Sequence, residues 1–256
     1  MQTILITGAS SGIEEALALA YAGAGAELGL LGRNAERLDR IAARCRERGA
    51  KVHTAAIDVR ARAELKAWIE AFDREHPVDL VFANAGVMAG TTPDGGMERA
   101  DDAAALIETN VGGVLNTVQP LLPPMMARGR GQIAILGSLA GFIPLPDAPS
   151  YSASKSAVLS YGLSLRALLA PRGIRVSVIC PGYIETPMTA REVGPHPFKM
   201  SAERAAEKIR RGLERDRAVI AFPFLLAWAT RLNAVLPDRL RQRIVRSFRF
   251  TIADPP

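Results

Sequence analysis

The sequence predicts an α/β fold, a doubly wound parallel β-sheet of about seven strands with helices on both faces. Short, nearly continuous apolar runs recur along the chain, as expected of strands that are buried on both faces of a parallel sheet. Stretches with apolar residues at helical spacing separate these runs. Strands and helices alternate in this way when right-handed crossovers connect the strands of one sheet.

Each predicted element follows from its own pattern. Strands are expected over residues 3–7, 27–31, 51–57, 79–83, 132–136 and 174–179, with a short seventh at 219–221. Helices are expected over residues 15–23, 38–45, 65–72 and 150–169. Ser201 is predicted to cap a helix that runs through Leu213, because a serine oxygen accepts a hydrogen bond from a free N–H at a helix start.

The net charge of the chain is concentrated at one end. The formal charge is +6, of which residues 217–256 carry +5 through seven arginines and two aspartates. Nucleic-acid-binding domains usually spread basic and aromatic residues over one face. We therefore expect no nucleic-acid partner.

A chain of 256 residues can bury one sizeable core but is short for two, so a single domain over residues 1–256 is predicted.

The cysteines and histidines lack the spacings that are typical of disulfide or metal sites. Cys45 and Cys180 lie far apart, and the histidines (His53, His76 and His196) have no common ligand spacing. Neither a disulfide framework nor a metal site is therefore predicted.

The amino terminus and the hydropathy of the chain indicate a cytoplasmic protein. The chain runs directly into the first predicted strand without the basic and apolar regions of a signal peptide. Its longest apolar stretch, residues 222–229, is far below the about 20 residues that a membrane span needs.

A glycine-rich turn joins the first predicted strand to the first predicted helix. Gly8 and Gly12 let the backbone turn tightly and approach a phosphate, while Ser10 and Ser11 add hydroxyl donors. Ile13 follows at the helix start, where free N–H groups and the positive end of the helix dipole favour an anion. This placement indicates a dinucleotide-binding turn; the alternative is a tight turn that serves only the fold.

Two residues near this turn bear on the cofactor. Glu14 stands where a dinucleotide turn usually has a third small residue, and its charge would compete with or repel a pyrophosphate, so we expect weakened cofactor binding. After the second strand, Gly32 and Arg33 replace the acidic residue that bonds the ribose of NAD(H). A guanidinium suits a 2′-phosphate, so NADP(H) is predicted over NAD(H). The alternative is that Arg33 is a solvated loop cation.

Three further residues predict acid–base chemistry. Tyr151 and Lys155 lie four residues apart in a predicted helix and so share one helix face. Ser138 follows the strand at 132–136, and the carboxyl ends of parallel strands face the ligand crevice. A nearby ammonium and a positively charged nicotinamide would lower the pKa of the phenol from about 10 toward neutrality. Tyr151 would then exchange a proton with a carbonyl or alcohol oxygen, while Ser138 stabilises the charge on that oxygen.

These motifs together resemble the short-chain dehydrogenase/reductase family, whose members are NAD(P)-dependent enzymes built on one Rossmann domain. The resemblance runs from about residue 3 to residue 188. Its matching pieces are residues 7–13, Asp58-Val59, Asn84-Ala85-Gly86, Asn110, Ser138, Tyr151 with Lys155, and residues 181–186. It implies a Rossmann-like fold and a homodimer or homotetramer formed through the helices around residues 100–127 and 150–170.

The resemblance also implies roles for residues that line the adenosine end of the cofactor. Asp58 and Val59 would contact adenine, while Asn84, Ala85 and Gly86 would flank the cofactor and steady the central strands. The alternatives are that Asp58 is a helix N-cap and that Asn84 is a turn residue.

Other implied roles concern the nicotinamide end. Asn110 would hold a water molecule of a proton relay; the alternative is a packed polar group of the core. The loop that contains Pro181, Gly182, Ile184 and Thr186 would grip the nicotinamide carboxamide.

The chain beyond the predicted sixth strand changes in composition toward Pro, Gly and Arg. We divide the domain into a cofactor-binding and catalytic core (1–187), a substrate-loop region (188–217), and a last strand with a basic amphipathic tail (218–256). Apolar residues recur in the tail with arginines between them: Leu232, Val235, Leu236, Leu240, Ile244, Val245 and Phe248. We favour packing of this stripe on the parent domain or a neighbouring subunit over peripheral contact with an anionic membrane.

The predicted activity is the interconversion of a carbonyl and a secondary alcohol by hydride transfer with NADP(H), in which Tyr151 is the general acid/base. Apolar residues near the tail indicate a lipophilic small-molecule substrate. The alternative is a nucleotide-binding regulatory or scaffold protein that senses the cofactor without turnover. Glu14 favours that alternative, and the complete set of Ser138, Tyr151 and Lys155 disfavours it.

Overall fold

The computed structural model describes residues 2–92, 94–233, 235–245 and 250–253. Its strands are β1 Gln2–Thr7, β2 Ala26–Gly32, β3 Lys51–Ala56, β4 Leu80–Ala83, β5 Gly131–Leu136, β6 Ile174–Pro181, β7 Glu192–Val193, β8 Val219–Phe222 and β9 Thr251–Ile252. Its helices are α1 Gly12–Tyr21, α2 Ala35–Glu47, α3 Arg62–Glu75, α4 Ala100–Ile107, α5 Gly113–Val118, α6 Leu122–Arg128, α7 Pro149–Leu169, α8 Ala202–Glu214, α9 Phe224–Asn233 and α10 Asp238–Val245.

Seven of the strands form one parallel sheet in the order β3-β2-β1-β4-β5-β6-β8. This arrangement confirms the predicted fold class and all seven predicted strands. The chain moves outward from β1 through β2 and β3, then crosses back to β4 on the other side of β1. A crevice opens at the carboxyl ends of β1 and β4, where the connections diverge, and ligands of open α/β sheets bind at such a point.

Helices cover both faces of the sheet because each face carries its own apolar core. On one face, α1, α2 and α8 bury residues such as Leu17, Ile41 and Ile209 against the strands. On the other face, α3, α5 and α7 contribute residues such as Ile69 and Val118. In the described ranges, none of the helices combines the length and apolar content needed to cross a bilayer.

The local helix signals agree with the structure. The Ser201 side chain accepts a hydrogen bond of 3.3 Å from the Arg204 N–H at the start of α8, which confirms the predicted cap. The helix after β1 begins at Gly12 instead of residue 15, so the second glycine of the turn is itself part of the first helical turn.

The carboxyl-terminal part folds back over the crevice. The sequence analysis missed the short strands β7 and β9, which pair antiparallel with Glu192 opposite Ile252. Of the predicted amphipathic run, Leu232 lies at the end of α9 and residues 238–245 form α10. Leu232, Val235 and Leu240 of its apolar stripe are exposed on this chain. Its predicted stripe residue Phe248 lies outside the described residues, as do Arg246 and Arg249.

Candidate active site

One cavity lies at the carboxyl ends of the strands and collects nearly all the predicted site residues. The predicted residues that line it are Gly8, Ser10, Ser11, Gly12, Ile13, Arg33, Asp58, Val59, Asn84, Ala85, Gly86, Ser138, Tyr151, Lys155, Pro181, Gly182, Ile184 and Thr186. Asn110 does not line it; it lies behind the wall, where it is 1% exposed.

The glycine-rich turn has the geometry that a closely approaching phosphate requires. Gly8 and Gly12 have φ values of +78° and +71°, a conformation that glycine adopts without steric cost. A Cβ atom on Gly8 would lie only 2.9 Å from the Cα of Ala85, so no larger residue fits there. The Thr7 hydroxyl donates to the Phe82 carbonyl at 3.2 Å and thereby ties the turn to the end of β4.

Glu14 directs its carboxyl group toward this turn. Its Oε2 atom lies 3.2 Å from the position of a Cβ on Gly12. Burial raises the pKa of Glu14 to about 8, although the charge of Lys155 acts to lower it. At neutral pH the carboxyl is therefore largely protonated, and the repulsion expected from the sequence is reduced because most of the negative charge is absent.

The end of β2 is open and basic. Arg33 is exposed at the rim of the cavity. A Cβ on Gly32 would lie 3.3 Å from the Ser10 hydroxyl, so this serine stands beside the position where an NAD-selecting site has its carboxylate.

Asp58 pairs with Arg60 at 2.8 Å. It does not cap α3, whose N-cap residue is Ala61, so the N-cap alternative for Asp58 is wrong.

Asn110 occupies a π-helical turn, Glu108–Gly112, between α4 and α5. Such turns are rare and frequent at functional sites. The side chain accepts from the Val87 N–H at 2.8 Å and donates to the Val87 carbonyl at 2.9 Å. It also donates to the Ser154 hydroxyl at 3.1 Å. These contacts make Asn110 a hydrogen-bonded core residue that fixes the loop after β4, and the water relay stays a prediction.

Lys155 is held in place from within the core. It is 4% exposed, and its Nζ donates to the Leu136 carbonyl at 3.0 Å. The same atom lies 5.6 Å from the centroid of the Tyr151 ring. Burial lowers the pKa of Lys155 to about 8, although the charge of Glu14 acts to raise it. The carbonyl at the end of β5, which no side-chain pattern reveals, thus orients this ammonium.

The shift in the pKa of Tyr151 is opposite to the one expected from the sequence. Burial raises the pKa of the phenol above its ordinary value, hydrogen bonding with Ser138 lowers it, and the charge of Glu192 raises it further. The Ser138 hydroxyl is itself fixed by a bond of 3.1 Å from the Ala140 N–H. Desolvation outweighs the hydrogen bonding with Ser138, so the pKa of Tyr151 lies above its ordinary value and the phenol is protonated at neutral pH.

Further residues of the cavity lining were not named as site residues from the sequence, although apolar residues near the tail were expected to bear on a lipophilic substrate. They come from the loop after β4, the segment after Ser138 and the carboxyl-terminal elements: Met88, Ile143, Leu145, Glu192, Leu226, Thr230, Val245 and Phe250. Burial raises the pKa of Glu192, a carboxyl in this wall, to about 7. The alternation of strands and helices gives no signal for these contacts, because they depend on the chain's return through β9.

Comparisons with known proteins agree with this geometry. A sequence model of the family described as short chain dehydrogenase matches residues 2–195. An "Uncharacterized oxidoreductase" of Myxococcus xanthus is 37% identical over 250 residues, which cover 97% of this chain and 98% of the relative. The chain belongs to the short-chain dehydrogenase/reductase family.

Solved structures of the family have the same fold. A short-chain dehydrogenase from Sphingobium yanoikuyae in complex with NADPH matches with a TM-score of 0.79 at 30% identity, over 97% of each chain. The bulky-bulky ketone specific alcohol dehydrogenase from Comamonas testosteroni matches with a TM-score of 0.78 at 27% identity, over 97% of this chain and 95% of that one. This chain is therefore an NAD(P)-linked oxidoreductase of the short-chain dehydrogenase family.

Proposed function

We propose that the protein is an NADP(H)-dependent carbonyl reductase and alcohol dehydrogenase in which Tyr151 is the general acid/base. The observation that carries this proposal is the meeting of three groups on one cavity wall. Ser138 and Tyr151 line the same cavity, and the Lys155 Nζ atom lies 5.6 Å from the centroid of the Tyr151 ring. A proton donor, an oxyanion partner and a cation are the groups that reduction of a carbonyl requires.

In this mechanism bound NADPH supplies a hydride to the carbonyl carbon. The Tyr151 hydroxyl donates its proton to the carbonyl oxygen, and Ser138 hydrogen-bonds the same oxygen as its negative charge develops. Because its pKa is raised, Tyr151 carries that proton at neutral pH. Lys155 stabilises the phenolate that remains, and its bond to the Leu136 carbonyl keeps it under the ring.

The preference for NADP(H) rests on the end of β2. Gly32 leaves this position without a carboxylate, and Arg33 and Ser10 present a guanidinium and a hydroxyl at the cavity. Arg37, on the first turn of α2, lines an adjoining shallow cleft with Ser10 and adds a second cation. Charge-assisted bonds from these groups suit a 2′-phosphate.

The glycine-rich turn and Glu14 fit a pyrophosphate that binds with Glu14 in its neutral form. A protonated carboxyl is a hydrogen-bond donor, so Glu14 can donate to a phosphate oxygen instead of repelling it. The raised pKa of Glu14, about 8, supports this form at neutral pH.

The substrate we propose is a bulky, lipophilic ketone or the corresponding secondary alcohol. The carboxyl-terminal part adds apolar side chains to the cavity lining, namely Leu226, Val245 and Phe250, and Tyr151 packs against the cluster that contains Phe250. The solved alcohol dehydrogenase from Comamonas testosteroni is named as specific for bulky-bulky ketones, which is consistent with this class.

The experiment that tests the proposal combines binding with turnover. NADPH and NADH would be titrated by fluorescence, and oxidation of NADPH would then be followed with a panel of aliphatic, aryl-alkyl and diaryl ketones. We expect tighter binding of NADPH and the highest kcat/KM with the bulkiest ketones. Tight NADPH binding without oxidation by any carbonyl would instead favour a cofactor sensor.

We also propose that the enzyme assembles as a dimer or tetramer through α4 and α7. Large apolar side chains are exposed on these helices, with Ile107 at 40% and Leu168 at 67%. Light scattering on the eluted protein is expected to give two or four times 27.4 kDa. A monomeric mass would contradict this assembly.

The two free, buried cysteines, Cys45 and Cys180, fit a reducing compartment such as the cytoplasm.

A further inference from the structure

The amino-end edge of the sheet, opposite the cofactor crevice, holds a cluster of Glu27, His53 and His76. These side chains come from β2, from β3 and from the residue that follows α3. They take no part in the proposed reaction. We propose that they form a binding site for one divalent transition-metal ion, with Zn²⁺ as the best-fitting ion. This site departs from the sequence analysis, which predicted no metal.

The three candidate ligand atoms already converge. His53 Nε2 lies 2.9 Å from Glu27 Oε1, and His76 Nδ1 lies 3.0 Å from the same oxygen. All three atoms lie within 4.8 Å of one another. In a tetrahedral site with bonds of about 2.0–2.2 Å, neighbouring ligand atoms are about 3.3 Å apart. An ion would therefore need each histidine nitrogen to move a few tenths of an ångström away from Glu27 Oε1, and the two nitrogens to lie closer than the 4.8 Å limit of the cluster.

The fold explains why these side chains meet. Gly29 lies opposite His53 in the pairing of β2 with β3, and Glu27, two residues earlier, faces the same side of the sheet. The chain leaves α3 at His76, whose N–H still donates to the Phe72 carbonyl, at 2.8 Å. The rings of His53 and His76 lie 4.6 Å apart, and Phe72 packs against both.

The charge and exposure of the cluster suit a metal ion with one open position. The Glu27 side chain is 6% exposed. Both histidine rings approach its Oε1 atom, at 2.9 and 3.0 Å. His53 and His76 are 40% and 24% exposed, which leaves a solvent-facing side for a water ligand.

The donor set selects the class of ion. Two imidazole nitrogens and one carboxylate oxygen suit Zn²⁺ and its neighbours, whereas Mg²⁺ and Ca²⁺ prefer sites made of oxygen atoms. Glu75 Oε2 lies 3.8 Å from His76 Nε2, at the ring nitrogen that would face away from the ion. Carboxylates at that place orient metal-bound histidines and raise their basicity. A bound ion would connect β2, β3 and the end of α3, and so act on stability.

The test is calorimetric titration of the metal-stripped, full-length protein with Zn²⁺. We expect one ion per chain, and a Kd that rises at least about tenfold in Glu27→Gln, His53→Gln and His76→Gln, because each removes one ligand. At a hundredfold excess over Kd, Zn²⁺ should raise the Tm of the parent by about 5 °C. The matched control is His196→Gln, since His196 lies 3.7 Å from Glu192 and the described part of the chain brings no third ligand to this pair; the variant should bind Zn²⁺ as the parent does.

A second measurement keeps the site testable if a ligand variant does not fold. Co²⁺ added to the parent protein should produce the visible absorption of a four-coordinate nitrogen–oxygen site, and Zn²⁺ should displace it. The absence of this absorption, or equal Zn²⁺ affinity in the parent and in His53→Gln, would overturn the proposal. The cluster would then be a hydrogen-bonded group only.

Discussion

Buried charged groups lie at both ends of the parallel strands, but they behave differently. We call the carboxyl ends of the strands the carboxyl edge of the sheet, and their amino ends the amino edge. At the carboxyl edge, Glu14, Lys155 and Glu192 line the cavity, and burial moves their pKa values to about 8, 8 and 7. At the amino edge, Glu27 is also enclosed, yet its pKa stays below the ordinary value because His53 and His76 contact its carboxylate. Close pairing therefore decides which buried groups exchange protons near neutral pH.

Apart from the loss of the Tyr151 hydroxyl itself, the largest effect is expected from removal of the Ser138 hydroxyl, which lines the same cavity. Ser138→Ala should lower kcat about 100-fold, because the donor that stabilises the reacting oxygen is lost. The Kd for NADPH should stay within about twofold of the parent, since the predicted role of Ser138 is toward the substrate. Steady-state rates and fluorescence titration measure the two quantities. An unchanged kcat would show that Ser138 is only a cap of the following turn.

A smaller effect is expected at the rim of the same edge. Arg33→Ala should raise the Kd for NADPH about tenfold, because a charge-assisted bond to the 2′-phosphate is lost, and should leave the Kd for NADH nearly unchanged. Arg46→Ala, which removes a cation in the last turn of α2 that donates to the Val52 carbonyl, is the comparison variant and should bind both cofactors as the parent does. Equal weakening of NADPH and NADH by Arg33→Ala would contradict the assigned role.

Glu14 gives a test of the raised pKa itself. A carboxyl with a pKa of about 8 is neutral below that pH and charged above it, so the affinity for NADPH should fall several-fold between about pH 7 and 9. Lys155 also loses its charge in this range. The difference between the parent and Glu14→Gln therefore isolates the carboxyl, and the variant should show the shallower profile.

The neighbouring residue supplies the control for this pH dependence. Glu15→Gln removes a partly exposed carboxylate that pairs with Arg44, so its profile should match that of the parent. Identical profiles for the parent and Glu14→Gln would show that Glu14 does not titrate against the cofactor.

The smallest effect concerns the amino edge. In the presence of a chelator, Glu27→Gln should lower the free energy of unfolding at pH 7 by about 1 kcal/mol, because the paired carboxylate is lost. The pKa of Glu27 is lower in the folded state than in the unfolded state. The stabilisation is therefore present at pH values above the pKa of the unfolded state, and it should vanish as the pH falls below about 4. Denaturant unfolding at the two pH values measures the change, and Glu75→Gln, at an exposed position, should cost less.

The sequence was sufficient for the features that depend on local spacing. The strands are continuous apolar runs because both faces of the sheet are covered, and each run was recognisable by itself. Tyr151 and Lys155 share a face of α7 because they are one helical turn apart. Ser138 joins them because the carboxyl ends of parallel strands meet at one edge of the sheet.

Features that depend on distant parts of the chain could not be predicted in the same way. Glu27, His53 and His76 are far apart in sequence, and only the pairing of β2 with β3 and the end of α3 bring them together. The direction of the pKa shift of Tyr151 depends on how far the phenol is enclosed. That enclosure includes Glu192, which the pairing of β7 with β9 positions.

The central claim is that the Tyr151 phenol supplies the proton during reduction. It is tested most directly in single-turnover reactions, in which the enzyme is saturated with NADPH and mixed with an accepted ketone. Tyr151→Phe should slow NADPH oxidation about 1000-fold with little change in NADPH binding. Tyr161→Phe, a half-buried position on the same helix that packs in the core, should react as the parent does. A Tyr151→Phe rate within about tenfold of the parent would contradict the assignment of Tyr151 as the acid.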